Sequence, residues 1–250
     1  MLLEKKESFT PIIRPHSPKQ TDYKKLYHNF QSYHHYTISQ ISHELRNPLC
    51  LISSSLQLIQ AQHPEVLEFR YWDQIRDDLS YISRLLDDLT CYNNSQQLNL
   101  EPIDLKELIS SLLYSTEAAS LSQYCKVTFF CPKPLPMVSG DVIKLKQALM
   151  NLLKNAFDAV EPGTGHIKVS LGRLHKMIEI SVSDNGKGVP PQLRSNLFQP
   201  FITGKQNGTG LGLTITSNII QAHGGNISYI SNQNGSVFTI LLPISHTKEL

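Results

Sequence analysis

Long hydrophobic runs are missing from this chain. The most apolar stretch, Leu49 to Ile59, is interrupted by Ser53, Ser54, Ser55 and Gln57, and it falls short of the roughly 20 apolar residues that cross a bilayer. No membrane insertion is expected. The N-terminal residues MLLEKKESFTPIIRPHSPK place early charges before no continuous apolar segment, which is not a secretory pattern, so a cytoplasmic location is expected. Cysteine is scarce: the four, at 50, 91, 125 and 131, make no C-x-x-C pair. That fits reduced, structural thiols rather than a disulfide frame or a zinc site. Histidines 34 and 35 lack a third ligand at metal spacing and read as surface residues. Charge of one sign is missing too. With 23 basic against 21 acidic residues and no basic cluster, nucleic acid is not an expected partner.

What is present is enough chain for two modest domains, at 250 residues. Residues 1–22 mix Lys, Ser, Pro and Thr without period and read as a flexible arm, too short for a sensing domain. A helical pattern follows. Apolar residues recur at Ile38, Ile41, Leu45, Leu49, Ile52, Leu56 and Ile59, then, past AQHPE at 61–65, at Trp72, Ile75, Leu79, Ile82, Leu86 and Leu89. Steps of three and four make each stripe one face of an amphipathic helix. A hairpin with one apolar face per helix buries it well against a second copy, so a homodimeric four-helix bundle over 23–95 is expected. The alternative is packing on the chain's own second domain.

After the polar linker Asn93 to Gln97 the pattern alternates. Strands are expected near Leu98–Glu101 and over Lys126–Phe130, Ile167–Leu171, Ile178–Ser183, Ile227–Ile230 and Ser236–Leu242. Helices are expected after Asp104 as N-cap, over Asp141–Val160, and from the glycines at 208–212 to His223. The order predicts an α+β chain whose second domain, 96–250, is a sandwich of helices on a mixed sheet.

The stretch SHELRNPL, Ser42 to Leu49, sits inside the first helical pattern. At 100° per residue His43 falls about 160° from the stripe and should face solvent, with Asn47 on the same outer face. Pro48 has no N–H for the carbonyl of Glu44, so the helix should kink or loosen there. Glu44 could accept from one ring nitrogen of His43 and leave the other as a nucleophile.

Four further motifs lie downstream. NLLKNAFDA, 151–159, puts Asn151, Asn155 and Asp158 on one side of a helix, and carboxamide oxygens are hard donors suited to Mg²⁺. DNGKG, 184–188, offers Asp184 as acceptor for an exocyclic amine, with Gly186 and Gly188 allowing close approach of a flat ring. GTGLGL, 208–213, opens a helix with backbone N–H groups suited to polyphosphate. Between them NLFQPFITGK, 196–205, has Phe198 and Phe201 as apolar anchors and Lys205 for phosphate charge, and reads as a nucleotide lid.

Together these motifs resemble the sensor histidine kinases of two-component signalling: the H-box, N-box, G1 box, F-box and G2 box, in order, over residues 35 to 243. The resemblance implies a dimerisation and phosphotransfer hairpin followed by the Bergerat ATP-binding fold of the gyrase type. It implies His43 as phosphoacceptor and Glu44 as its activating acid. Asn47 would orient water for dephosphorylating a response regulator. Asn155 is implied as the Mg²⁺ ligand, near Asn151 and Asp158, with Lys154 on phosphate. Asp184, Gly186 and Gly188 would take adenine, while Thr203, Lys205, Gly208, Thr209, Gly210, Leu211 and Gly212 would surround the phosphates. Gln199 and Gly204 depart from the usual F-box acid and second Thr. The implied activity is ATP-dependent autophosphorylation and transfer to a receiver-domain aspartate. Its rivals are an adaptor that only docks a regulator, and a Bergerat-fold ATPase or serine kinase. A lost phosphoacceptor or nucleotide motif would mark the adaptor, and an ATPase would have no use for the hairpin.

Overall fold

The computed structural model describes residues 20–118, 125–205 and 207–244, with side chains over 37–114, 125–205 and 207–244. The arm expected over 1–22 lies almost wholly outside the described residues, as do the side chains of His34 and His35. The chain divides into two units between Thr37 and Ile38. In the first, the described residues from Gln20 onward are helical.

Helix α1 spans Gln20–Gln62, a 3-10 turn spans Pro64–Glu68, and α2 spans Trp72–Asn93. A helix cannot continue easily into His63-Pro64, because a residue before proline is pushed out of the helical region, and His63 has ψ 74. Pro48, by contrast, does not end α1. It removes only the one N–H that Glu44 would have received, and both residues are exposed, so water can serve that carbonyl. The apolar stripe of this hairpin is only partly covered: Ile41, Leu45, Ile52 and Ile59 on α1, with Ile75 and Ile82 on α2, keep 41 to 49% of their surface, while Trp72 and Leu86 are buried.

The second part of the unit begins with β1 (Glu101–Ile103) and α3 (Leu105–Ala118). Asp104 caps α3 as expected, its Oδ1 accepting from the backbone N–H of Lys106 at 2.8 Å and Glu107 at 3.1 Å. Next come β2 (Cys125–Phe130), β3 (Val138–Gly140) and α4 (Val142–Ala159). Strands β4 (Gly165–Leu174) and β5 (Met177–Asp184), helix α5 (Gly212–Ala222), and strands β6 (Asn226–Asn232) and β7 (Gly235–Pro243) complete it. Five strands form one mixed sheet in the order β2-β4-β5-β7-β6, with β2 and β4 parallel and the other pairs antiparallel. β1 and β3 form a separate antiparallel pair that was not foreseen in full, since β3 is only three residues behind a proline-rich stretch.

Strand alternation assigns the faces. Ile167, Val169 and Leu171 of β4, Ile178, Ile180 and Val182 of β5, and Phe238, Ile240 and Leu242 of β7 are buried, while their neighbours are partly or fully open. Against this face lie Leu145, Leu149, Leu152 and Ala156 of α4 and Ile215, Ile219 and Ile220 of α5, in one continuous core. At 25 cal/mol per Å² of apolar surface, each such large aliphatic side chain contributes about 1.5–3 kcal/mol when fully buried. Helices therefore cover one face of a mixed sheet, and the core is theirs.

Candidate functional site

Period-two alternation carries past Val182 to Asp184, so the last residue of β5 projects a carboxylate onto the face otherwise occupied by isoleucine and valine. Asp184 is buried. Its Oδ1 accepts from the backbone N–H of Gly186 at 2.9 Å and of Ser236 at 3.3 Å. Burial pushes its carboxyl above the ordinary aspartate range, and these two bonds pull back only part of that shift. Among the described residues nothing donates to Oδ2, and that atom is not sealed from solvent. An acceptor with one oxygen fixed and one oxygen open suits an amine on a ligand.

Gly186 is required beside it, because a Cβ there would lie 2.3 Å from the Ala159 carbonyl oxygen at the end of α4. Gly188, at φ +68, would bring a Cβ within 1.9 Å of the Asn232 carbonyl oxygen. These two glycines thus let the turn after β5 close on α4 and β6.

Helix α4 supplies the polar wall. Steps of four and three put Asn151, Asn155 and Asp158 within about 60° of one another around the helix. Asn151 Nδ2 donates to the Gly212 carbonyl at 3.1 Å and lies 3.5 Å from Thr216 Oγ1. It ties α4 to the first turn of α5 and so sets where the glycine loop leaves the sheet. Asn155 Oδ1 accepts from Lys205 Nζ at 2.8 Å, and the same ammonium lies 2.7 Å from Asp158 Oδ2. The carboxamide oxygen at 155 therefore already sits against a cation, and a hard oxygen donor there fits a divalent ion carried on nucleotide phosphate. Lys154 is exposed and takes no part in this contact.

The lid segment and the glycine loop are folded on each other. Lys205 N donates to Thr203 Oγ1 at 3.1 Å, and a Cβ on Gly208 would approach Thr203 Oγ1 to 2.5 Å. Gly210 is left-handed at φ +69, and a Cβ there would meet the backbone of Phe201 and Ile202 at 2.5 to 2.7 Å. Phe198 anchors the lid as expected, edge-on to Tyr229 with ring centroids 5.9 Å apart. Phe201 does not: it is 63% exposed, with φ 64. Its left-handed backbone follows the glycine loop and leaves its ring outside the core. Leu211 is fully buried beneath the loop, so it acts as a packing post. Gly212 has only Asn151 near its missing Cβ, at 3.7 Å.

On α1, His43, Glu44 and Asn47 are all exposed, as the stripe geometry requires. Glu44 is not placed against the His43 ring: its Oε1 takes a hydrogen bond from Gln40 Nε2 at 3.3 Å. The group beside His43 Nδ1 is instead Arg46 Nη1, at 3.5 Å, while Arg46 Nη2 donates to Asp87 Oδ1 of α2 at 2.8 Å. Thr209 of the glycine loop in turn donates to Asp88 of α2. Adjacent aspartates on one helix thus hold the arginine beside His43 and the loop. Neither aspartate belongs to the motifs that the sequence offers. Only the D-D pair itself, off the apolar stripe, was there to signal them.

Two families match the chain. Residues 36–96 match the His Kinase A (phospho-acceptor) domain, and residues 140–246 match the histidine kinase-, DNA gyrase B- and HSP90-like ATPase. Sporulation kinase B of Bacillus subtilis (strain 168) is 35% identical over 211 residues, which are 82% of this chain and 48% of that protein. Sensory histidine kinase/phosphatase NtrB of Rhodobacter capsulatus is 32% identical over 224 residues, 84% of this chain and 62% of that protein. The chain spans about half the length of the curated relatives it matches. The nucleotide-free catalytic domain of histidine kinase ThkA is 32% identical with a TM-score of 0.54, covering 58% of this chain and 96% of that one. Full-length ShkA in complex with AMPPNP, 24% identical with a TM-score of 0.71 over 84% of this chain and 46% of that one, shares the fold.

Proposed function

The chain belongs to the sensor histidine kinase family of two-component signalling, and on that premise we propose that it is an ATP-dependent protein histidine kinase whose phosphoacceptor is His43. The observation that carries the reading is Asp184, a buried carboxylate with Oδ1 held by two backbone N–H groups and Oδ2 open to the amine of adenine. Gly186 and Gly188 shape the turn beside it by letting the chain close on α4 and β6. Gly208, Thr209, Gly210 and Gly212 present the glycine loop to the phosphates, and Thr203 and Lys205 border it. Asn155 would hold Mg²⁺ together with phosphate oxygens, and the ion when bound would offset phosphate charge. Lys154, exposed on α4, would add positive charge at the same end.

A ring nitrogen of His43 attacks the γ-phosphorus of ATP in line. The N–P bond forms as the bond from phosphorus to the ADP oxygen breaks. The proton on the other ring nitrogen leaves to Glu44, for which Glu44 turns away from Gln40. In a second step the phosphoryl group passes to an aspartate oxygen on the receiver domain of a response regulator, and His43 is restored. Asn47, on the same exposed face, orients water for hydrolysis of that aspartyl phosphate. Two chains pair through the partly open stripes of α1 and α2 into a four-helix bundle, in the cytoplasm.

The test incubates the purified chain with γ-labelled ATP and Mg²⁺. Acid-labile, base-stable label should appear and be absent in His43→Gln. Label that survives this substitution refutes the assignment.

A further inference from the structure

Lys205 belongs to the lid, yet its ammonium is seated on α4, 2.8 Å from Asn155 Oδ1 and 2.7 Å from Asp158 Oδ2. The backbone is arranged around this reach. Lys205 N–H donates to Thr203 Oγ1, and Gly208 N–H donates to the Lys205 carbonyl at 3.3 Å, so the lid turn is closed at the lysine itself. Asn155 offers a single carbonyl oxygen. A divalent ion on that oxygen at about 2.1 Å and an ammonium on it at hydrogen-bond distance would stand at most about 5 Å apart. Two cations so close repel by more than an exposed ion pair is worth, even in water, so the ion's arrival displaces the ammonium.

We propose that Lys205 is the internal counter-cation of the nucleotide site. Without nucleotide it fastens the lid to α4 by occupying Asn155 and Asp158. A divalent ion arriving with nucleotide phosphate takes the Asn155 oxygen, expels the ammonium and frees the lid from α4. Both partners are a little over 40% exposed, so the tether is weak enough to exchange. The proposal rests on Asn155 being the metal's ligand, as put forward above. It adds that lid position and metal occupancy are coupled through one lysine.

The test uses the full chain in two assays. In the absence of nucleotide, amide hydrogen exchange is followed over residues 198–211 in wild type, Lys205→Met and Asp158→Asn. Both substitutions should speed exchange at Lys205, Gly208 and Leu211 by about 1.5- to 5-fold, the size expected for a partly exposed ion pair. A lysine that only contacts phosphate has no effect in this assay. In the second assay a fluorescent ADP analogue is held at fixed concentration while Mg²⁺ is titrated, and the half-saturating Mg²⁺ should fall by about 1.5- to 5-fold in Lys205→Met. Lys176→Met, in the β4–β5 turn, serves as control and should alter neither. Unchanged exchange in Lys205→Met, or a half-saturating Mg²⁺ equal to or above wild type, overturns the proposal. If wild type binds no ADP at any Mg²⁺ concentration the nucleotide reading itself fails, and the exchange assay still decides whether the tether exists.

Discussion

Substituting Gly210 by alanine isolates the contribution of backbone geometry to nucleotide binding, because the change adds one methyl group and no charge. Gly210 has φ +69, a region that costs an L-residue roughly 1–2 kcal/mol. The new Cβ would also stand 2.5 Å from the Phe201 carbonyl carbon and 2.7 Å from the Ile202 nitrogen, and neither is a flexible side-chain end that can step aside. The loop must either keep this strain or swing away from the lid. In the first case thermal unfolding falls by about 2–8 °C. In the second it is unchanged, but the amides from Gly208 to Gly212 no longer converge. On the second path, binding has to restore the present loop geometry and weakens by the strain, about 5- to 30-fold at 1.4 kcal/mol per decade, whereas on the first the strain is already present without nucleotide and shows in the melting temperature alone. Titration of a fluorescent ADP analogue, run beside a melting curve, measures both. Gly172→Ala is the control: Gly172 lies in β4 with open space where its Cβ would go. ADP affinity of Gly210→Ala within twofold of wild type, at an unchanged melting temperature, would refute the reasoning.

Other substitutions separate stability from function. Burial raises the Asp184 carboxyl above its ordinary value, so its contribution to stability is full below the unfolded aspartate range, about 4, and is lost as pH rises through the raised value. Asp184→Asn should therefore melt no lower than wild type at pH 7, with the gap narrowing toward pH 3, while ADP binding disappears; a lower melting temperature at pH 7 contradicts this. Asp141 runs the other way: burial pushes it up, but backbone bonds from Asn99, Lys144 and Ile143 and the charge of Lys144 outweigh that and leave it lowered. Its stabilisation is present above about pH 4 and is lost in acid, so Asp141→Asn should lose stability at pH 7 and converge with wild type as pH falls. His223→Ala removes the imidazole that accepts from Asp141 N–H at 2.9 Å and leaves that buried donor unpaired, at a cost of roughly 2–4 kcal/mol in denaturant unfolding; a loss below about 1 kcal/mol would show that water replaces the ring. Asn47→Ala should keep His43 labelling and lose dephosphorylation of a phosphorylated regulator; unchanged dephosphorylation removes Asn47 from that role.

Much of the site could be read from spacing because its parts obey local periods. Three-and-four steps put His43 and Asn47 outside α1 and put Asn151, Asn155 and Asp158 on one side of α4. Period two puts Asp184 on the buried face, one residue past Ser183, where the sequence was read as ending the strand. Contacts between elements were not legible. Nothing in the spacing of Lys205 shows that its ammonium crosses to residues 155 and 158, or that Asp87 and Asp88 reach Arg46 and Thr209, because those pairings depend on how helices and loops pack. Phe201 misled because an apolar residue in the lid segment suggests an anchor, whereas it takes a left-handed backbone packed against Gly210 and its ring stays in solvent. Glu44 shows the same limit: adjacency to His43 suggested a hydrogen bond, but in this structure Gln40, one turn back, is the partner its carboxylate finds, and spacing alone does not choose between the two.

The most direct measurement locates the phosphoryl group. The full chain is incubated with Mg²⁺ and ATP, digested at neutral to basic pH to protect phosphoramidates, and mapped by mass spectrometry. Phosphate on His43 alone, absent in both His43→Gln and Asp184→Asn, is the predicted result. Phosphate on any other residue, or on His43 at wild-type level in Asp184→Asn, would contradict a mechanism in which the buried carboxylate positions the nucleotide for that imidazole.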